Sequence, residues 1–191
     1  TAAELRADVL AQERLRDFRL ANNAFNDRYP IPTLAEVIEL VQRRSKELNR
    51  TIGIYPETKY PSYFKSFTDA KGLPRMEDVL LTQLHVAYGD KRDAPVFIQS
   101  FEVSNLQYLR PRTTMRLVQL LSANGKPYDF QVSGDSRGYQ DLARSAGLDF
   151  MKGYADGIGA HTQLIVPTDG RRLLPSTELI KEAHARGLLV H

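Results

Sequence analysis

Apolar residues recur along this chain with two alternating periods. Leu34, Val37, Ile38 and Val41 fall three or four positions apart, the spacing of one buried helix face. Thr33 and Glu36 bracket the start of that run as Thr-Leu-Ala-Glu, a capping-box pattern. Lys46 and Arg50 lie toward its end, where positive charge complements the free carbonyls. A short apolar run follows at 52–57, Ile-Gly-Ile-Tyr-Pro-Glu. Strand alternation places Ile52, Ile54 and Pro56 on one face and Tyr55, Glu57 and Lys59 on the other.

The same alternation continues downstream. The pattern predicts a loop or a short helical turn over 61–72, carrying Tyr63, Phe64 and Phe67, then a helix over 75–88 with Val79, Leu80, Gln83 and Leu84 along it. Strands are predicted at 96–101, 115–121, 154–158 and 188–190. Between them come a short helix over 102–109 ended by Pro111, a polar loop over 122–136, a helix over 138–146 stopped by Gly147, and a loop over 161–174. A helix from Pro175 and Ser176 turns Leu179, Ile180 and Ala183 inward and stops at Gly187. Upstream, residues 1–23 read as a helical or irregular lead-in, and Tyr-Pro-Ile-Pro-Thr at 29–33 breaks any helix before Thr33.

Helix and strand thus alternate five times, and the strands are short and almost wholly apolar. That is the pattern of an α/β fold with a parallel sheet covered on both faces. A doubly wound open sheet and a (β/α)8 barrel both fit. No glycine-rich phosphate loop follows a strand, which weakens the dinucleotide-binding version of the open sheet. A full barrel needs eight strands and typically about 250 residues. Five strands in 191 residues therefore read as a piece of a barrel, taken as one partial domain over 1–191.

Composition narrows the function classes. The formal net charge is +3, and the Lys and Arg residues are scattered apart from Arg43, Arg44 and Lys46 and from Arg110 and Arg112. These read as solvated surface and not as a nucleic-acid footprint. No apolar run is long enough to span a bilayer. Without cysteine, disulfides, thiolate catalysis and zinc–thiolate sites are excluded.

In a parallel barrel, working residues sit at the C-terminal strand ends and in the loops that follow. Those positions here are Glu57 and Lys59; Gln99, Ser100 and Glu102; Gln119; Asp156 and His161; and His191. Glu57 beside Lys59 suits a hard-cation ligand with a cationic neighbour, and a solvated ion pair at a strand end explains the same two residues equally well. Calcium takes about six to eight oxygens, so Glu57 alone makes no site. Glu102 reads first as a helix-start acid and second as a ligand, and Asp156 as a turn residue. His85 and His184 fall within helices, and no Ser-His-acid set can be assigned from spacing.

Several stretches together resemble one family. Ile-Gly-Ile-Tyr-Pro-Glu-Thr-Lys ending at Lys59, Val-Phe-Ile-Gln-Ser-Phe ending at Phe101, Tyr-Ala-Asp-Gly-Ile-Gly ending at Gly159 and Ala-His-Ala-Arg-Gly-Leu-Leu-Val-His ending at His191 are similar to the glycerophosphodiester phosphodiesterases of bacterial periplasmic or secreted type. The segment from Tyr29 to Glu36 matches the stretch before that family's third strand. The resemblance implies a TIM (β/α)8 barrel, partial here, with about strands 3–7 present. It implies metal-dependent hydrolysis of small-molecule glycerophosphodiesters to glycerol 3-phosphate and an alcohol, with calcium or magnesium as cofactor and a periplasmic or secreted setting. Glu57 matches the metal-binding glutamate. Lys59 matches the lysine near the phosphate, a catalytic and substrate-binding position. Gln99, Phe101, Gln119 and His191 fall at strand ends that line the mouth, as substrate-binding positions. The resemblance also calls for two catalytic histidines, one in a His-Arg-Gly motif, and for further metal carboxylates besides Glu57, in Pro-Glu and Glu-x-Asp motifs before the third strand; none of these has a counterpart in this sequence. The expectation is that the segment alone is inactive. A non-catalytic or binding protein of the same fold is the alternative. An aldolase with Lys59 as Schiff-base lysine is a third reading, opposed by Glu57, which favours the charged ammonium.

Overall fold

The computed structural model describes residues 12–191. The lead-in predicted over 1–23 lies partly outside the described residues, and its later part contains a 3-10 turn at Leu20–Phe25. The chain divides into two compact units, one ending at Ile52 and one spanning Gly53–His191.

In the first unit, helix α1 spans Leu34–Glu47. The capping box forms as the sequence predicts: the Glu36 N–H donates to Thr33 Oγ1 at 3.3 Å, and the Thr33 N–H donates to Glu36 Oε2 at 2.8 Å. Two of the helix's free N-terminal donor positions are thereby settled by side chains. Ile38 is the buried residue of the predicted apolar face, whereas Leu34, Val37 and Val41 are half-buried.

The second unit is built on parallel strands. β1 (Phe97–Ser100), β2 (Arg116–Leu121), β3 (Gly157–Ala160) and β4 (Leu189–Val190) form one sheet in the order β1-β2-β3-β4, every pairing parallel. Residues 54–58 run along the free edge of β1, through parallel bridges at Ile54–Val96 and Glu57–Gln99. Their ladder is Ile54 N–H to Pro95 O, Phe97 N–H to Ile54 O, Gln99 N–H to Pro56 O and Thr58 N–H to Gln99 O. The strand predicted at 52–57 is therefore present as separate bridges and not as a continuous strand. Pro56 has no N–H to donate, so the rung that would join the two bridges is missing.

Helices α2 (Pro61–Lys71) and α3 (Met76–Tyr88) connect the edge segment to β1. α4 (Val103–Leu109) follows β1, and α5 (Tyr128–Ser133), α6 (Tyr139–Leu142) and α7 (Ser145–Lys152) follow β2. α8 (Thr162–Ile165) and α9 (Leu179–Ala185) follow β3. The core lies between the helices and one face of the sheet, where Leu84, Val96, Ile98, Leu106, Leu109, Leu117, Leu142, Leu148, Met151 and Ile158 are fully buried. Each buried aliphatic side chain contributes on the order of 1.5–3 kcal/mol by leaving water. On the opposite face of β1, Phe97 and Gln99 are only half-buried, so the alternation read from the sequence is real.

Five expectations change. Residues 61–71 form a full helix, because Pro61 at its first position is preorganised for helical φ. The polar loop at 122–136 contains α5. Gly147 does not stop a helix. α6 and α7 are separate, and Gly147 lies inside α7, where an added Cβ would meet Leu142 Cα at 2.3 Å. The strand predicted at 154–158 starts instead at Gly157, since the N–H groups of Tyr154 and Ala155 still donate back to Met151 O. On α9, Leu179 and Ala183 are buried as predicted, but Ile180 is exposed.

Candidate active site

Three successive strand ends meet at a cleft of about 280 Å³. The edge segment supplies Glu57 through Pro61, the end of β1 supplies Ser100, Phe101 and Glu102, and the region after β2 supplies Lys126, Tyr128 and Tyr139. All lie at the C-terminal side of the sheet, where barrel enzymes place their chemistry.

Glu57 and Lys59 form an ion pair on the cleft, Lys59 Nζ to Glu57 Oε2 at 2.9 Å. The lysine side chain is 68% exposed and the glutamate 21%, so the ammonium stands at the rim with the carboxylate beneath it. Thr58 between them points the other way and is buried. Its hydroxyl accepts from Asn105 Nδ2 at 2.5 Å, and its carbonyl accepts from Ser100 Oγ at 3.4 Å. Strand alternation thus delivers both charged groups to one surface while the residue between them anchors the segment to α4.

Glu102 is buried in the cleft wall. Its Oε2 accepts from the Ser62 N–H at 3.2 Å and from the Ser62 hydroxyl. Burial pushes its carboxyl above the usual range, and the nearby Asp129 and Glu77 carboxylates add to the shift against the opposing Ser62 hydrogen bonds. The start of α4 is capped from outside, by Asp129 Oδ2 accepting from the N–H groups of Val103 and Ser104 at 2.9 and 2.6 Å. Glu102 precedes α4 but spends its side chain on the first turn of α2.

The apolar part of the cleft is aromatic. Phe101 and Tyr139 meet edge to face with ring centres 6.0 Å apart. Burial, with Asp129 and Glu102 nearby, pushes the Tyr139 phenol up to about 12, so it remains neutral. Lys126 Nζ donates to the Asp135 carbonyl at 2.9 Å, and the Tyr139 N–H donates to Gly125 O at 3.0 Å. These bonds hold the loop after β2 over the cleft. Sequence pattern does not single out Lys126, Tyr128 or Tyr139, because loop positions have no period. The signal that finds them is position alone, in the connection after a barrel strand.

The structure distributes the remaining predicted residues differently. Gln99 lies beside the cleft segment, with Nε2 donating to Tyr55 O at 3.0 Å. Gln119 is fully buried: its Nε2 donates to the carbonyls of Ser100, Phe101 and Leu120, and its Oε1 accepts from Tyr154 Oη at 2.9 Å. It braces the chain behind Phe101 from within the core. His191 meets Tyr55 Oη through Nδ1 at 2.8 Å and packs edge to face on Phe97. Desolvation and the Arg116 charge lower the basicity of that imidazole. Asp156 precedes β3 at the opposite end of the strand from the cleft, paired with Arg92 and Arg110. His161 follows β3 and caps α8 by accepting from the Gln163 N–H.

A divalent cation needs several oxygen or nitrogen ligands converging on one point. No group of three His, Asp or Glu residues close enough to hold a metal occurs among the described residues. Glu57 offers one carboxylate, already facing Lys59, and Glu102 is engaged by Ser62. The residues present do not complete a metal site.

A model of the glycerophosphoryl diester phosphodiesterase family matches residues 1–191. The chain belongs to this family. A glycerophosphodiester phosphodiesterase of Arabidopsis thaliana is 30% identical over an alignment of 175 positions that covers 87% of this chain and 45% of that protein. The chain thus spans about half the length of this curated relative. The crystal structure of an Agrobacterium tumefaciens protein, assigned as a glycerophosphoryl diester phosphodiesterase, matches with a TM-score of 0.52 at 18% identity. The match covers 100% of this chain and 57% of that one. At that identity the likeness shows the fold: the parallel strands are part of a TIM barrel.

Proposed function

We propose that this chain supplies one wall of the active site of a glycerophosphodiester phosphodiesterase, which releases glycerol 3-phosphate and an alcohol. The observation that carries this reading is the Glu57–Lys59 pair on a cleft at the C-terminal strand ends, in a member of this family. A phosphodiester is anionic and gains charge on its departing oxygens during hydrolysis. An ammonium fixed at the cleft rim stabilises that charge more in the transition state than in the ground state. Lys59 is the group placed for this, and Phe101 with Tyr139 gives the glycerol or alcohol carbons an apolar wall. Glu57 orients Lys59 and is the carboxylate that would face a divalent cation, for which the described residues alone do not complete a site.

The test is hydrolysis of glycerophosphocholine by the full-length protein, read as glycerol 3-phosphate released. Lys59→Ala should lower kcat/KM by about 10²–10³, the cost typical of losing one charge-stabilising donor. Chelation with EDTA should abolish turnover, and added calcium or magnesium should restore it. An unchanged rate in Lys59→Ala would remove the reading. A protein that binds glycerophosphocholine without turning it over would support the non-catalytic alternative.

A further inference from the structure

We infer that Glu102 is a positioning residue for Lys59, holding the turn that follows it through Ser62. The inference rests on the reading of Lys59 as the phosphate-facing cation.

Tyr60, directly after Lys59, has φ +51° and ψ +48°. This is the left-handed region, which a bulky L-residue occupies only when its surroundings hold it there. The next residue is Pro61, whose ring further restricts the residue before it. The chain therefore makes a strained reversal immediately beyond the cleft lysine and enters α2.

Both flanks of that reversal are tied to one short segment, residues 99–102. On the upstream side, the Thr58 carbonyl accepts from Ser100 Oγ, and the Thr58 N–H donates to Gln99 O. On the downstream side, Ser62 gives its N–H and its hydroxyl to Glu102 Oε2. The Glu102 N–H in turn donates to Ser100 Oγ at 3.2 Å, closing the circuit. Lys59 and Tyr60 bridge two pinned points, and the downstream pin is the buried Glu102 side chain. Remove it, and the left-handed turn can relax, carrying Lys59 away from Glu57.

A role in position predicts a different set of losses from a role in charge or in metal binding. A glutamine keeps a carbonyl oxygen for Ser62 but loses the carboxylate. In the full-length protein acting on glycerophosphocholine, Glu102→Ala should lower kcat/KM about ten- to a hundredfold, the scale of an ångström-sized displacement. Glu102→Gln should stay near wild type, with an unchanged requirement for calcium or magnesium. Ser62→Ala, which removes only the hydroxyl, should show a smaller loss of the same kind and keeps the test open if Glu102→Ala does not fold. In a Tyr60→Gly background, where the turn is unstrained, Glu102→Ala should cost much less than in wild type. Gln as damaging as Ala, or strictly additive losses, would overturn the inference. Should wild type show no turnover, the proposed function fails and the inference is read by hydrogen exchange at the Ser62 amide. Protection in wild type and Glu102→Gln, with loss in Ser62-unpaired Glu102→Ala, supports it; an unprotected wild-type amide overturns it.

Discussion

At the residue scale, Glu102 shows how much of a side chain's role is fixed by distant chain. The sequence offers it as a helix-start acid, yet the start of α4 is capped by Asp129, and Glu102 reaches Ser62 instead, 40 positions away. The cost is a carboxylate placed where water is scarce and other carboxylates are near, so its folded value is raised above the ordinary one near 4.5. A raised acid binds its proton more tightly in the folded than in the unfolded state. Its contribution is therefore most favourable below that ordinary value and declines as pH rises from there through the folded value. Glu102→Gln carries no charge to desolvate. Its Tm should exceed that of wild type at neutral pH, with the gain fading as pH falls through the raised folded value and gone by about 4.5, the ordinary glutamate value. Thermal unfolding across pH checks this, and a lower Tm for the variant at neutral pH would contradict it. Glu57 and Lys59 were legible in the sequence because alternation alone puts them on one face. Gln119 was not, because a polar residue near a strand end reads the same whether it faces a cleft or, as here, satisfies three carbonyls and a buried phenol.

At the element scale, periodicity located β1, β2, α3 and the start of α1 to within a residue or two, since each combines a clear period with a clear boundary residue. It failed where one residue type serves two purposes. Pro56 leaves an apolar strand pattern intact while deleting a rung. Gly147 resembles a helix stop in sequence, but its backbone conformation is not left-handed, and its missing side chain is what matters. It lets α7 pack on the end of α6, with Leu142 Cα, Leu142 O and Asp141 O all within 2.6 Å of where a Cβ would stand. These are backbone atoms and cannot rotate aside. Gly147→Ala should therefore destabilise the protein by about 1–3 kcal/mol or more, the range of an overpacked core. An intrinsic-propensity argument predicts the reverse, because alanine favours helix over glycine. Chemical denaturation decides between them: a higher midpoint for the variant would show that the two helices separate readily.

At the scale of the molecule, the curvature of the sheet is visible in one contact. Tyr55 lies on the edge segment before β1 and His191 directly follows β4, with three strands between them, yet their polar atoms meet at 2.8 Å. Phe97 packs against both rings. Side chains from alternate strands meet in this way inside a barrel, not on an open sheet. The cleft with Glu57 and Lys59 sits at the C-terminal strand ends, and its chemistry can be weighed group by group. On the proposed reading, Lys59 is the cation for a phosphoryl group, and Phe101 with Tyr139 is the aromatic wall for carbon. One of the cleft's carboxylates, Glu57, is paired with Lys59, and its other acid is committed to Ser62. His191 is occupied by Tyr55 and His161 by the start of α8, and neither lines the cleft. On the proposed reading, binding at this cleft can be tested apart from proton transfer. Residues 1–191 alone should bind glycerol 3-phosphate at the cleft, with NMR shifts centred on Lys59, Tyr60 and Phe101, and Lys59→Ala should weaken that binding. The same residues should give no detectable release of glycerol 3-phosphate from glycerophosphocholine, with or without calcium or magnesium. Metal-dependent turnover by residues 1–191 would mean that a proton-transfer group already stands among them, and His161, the histidine that directly follows β3, would be the first to mutate.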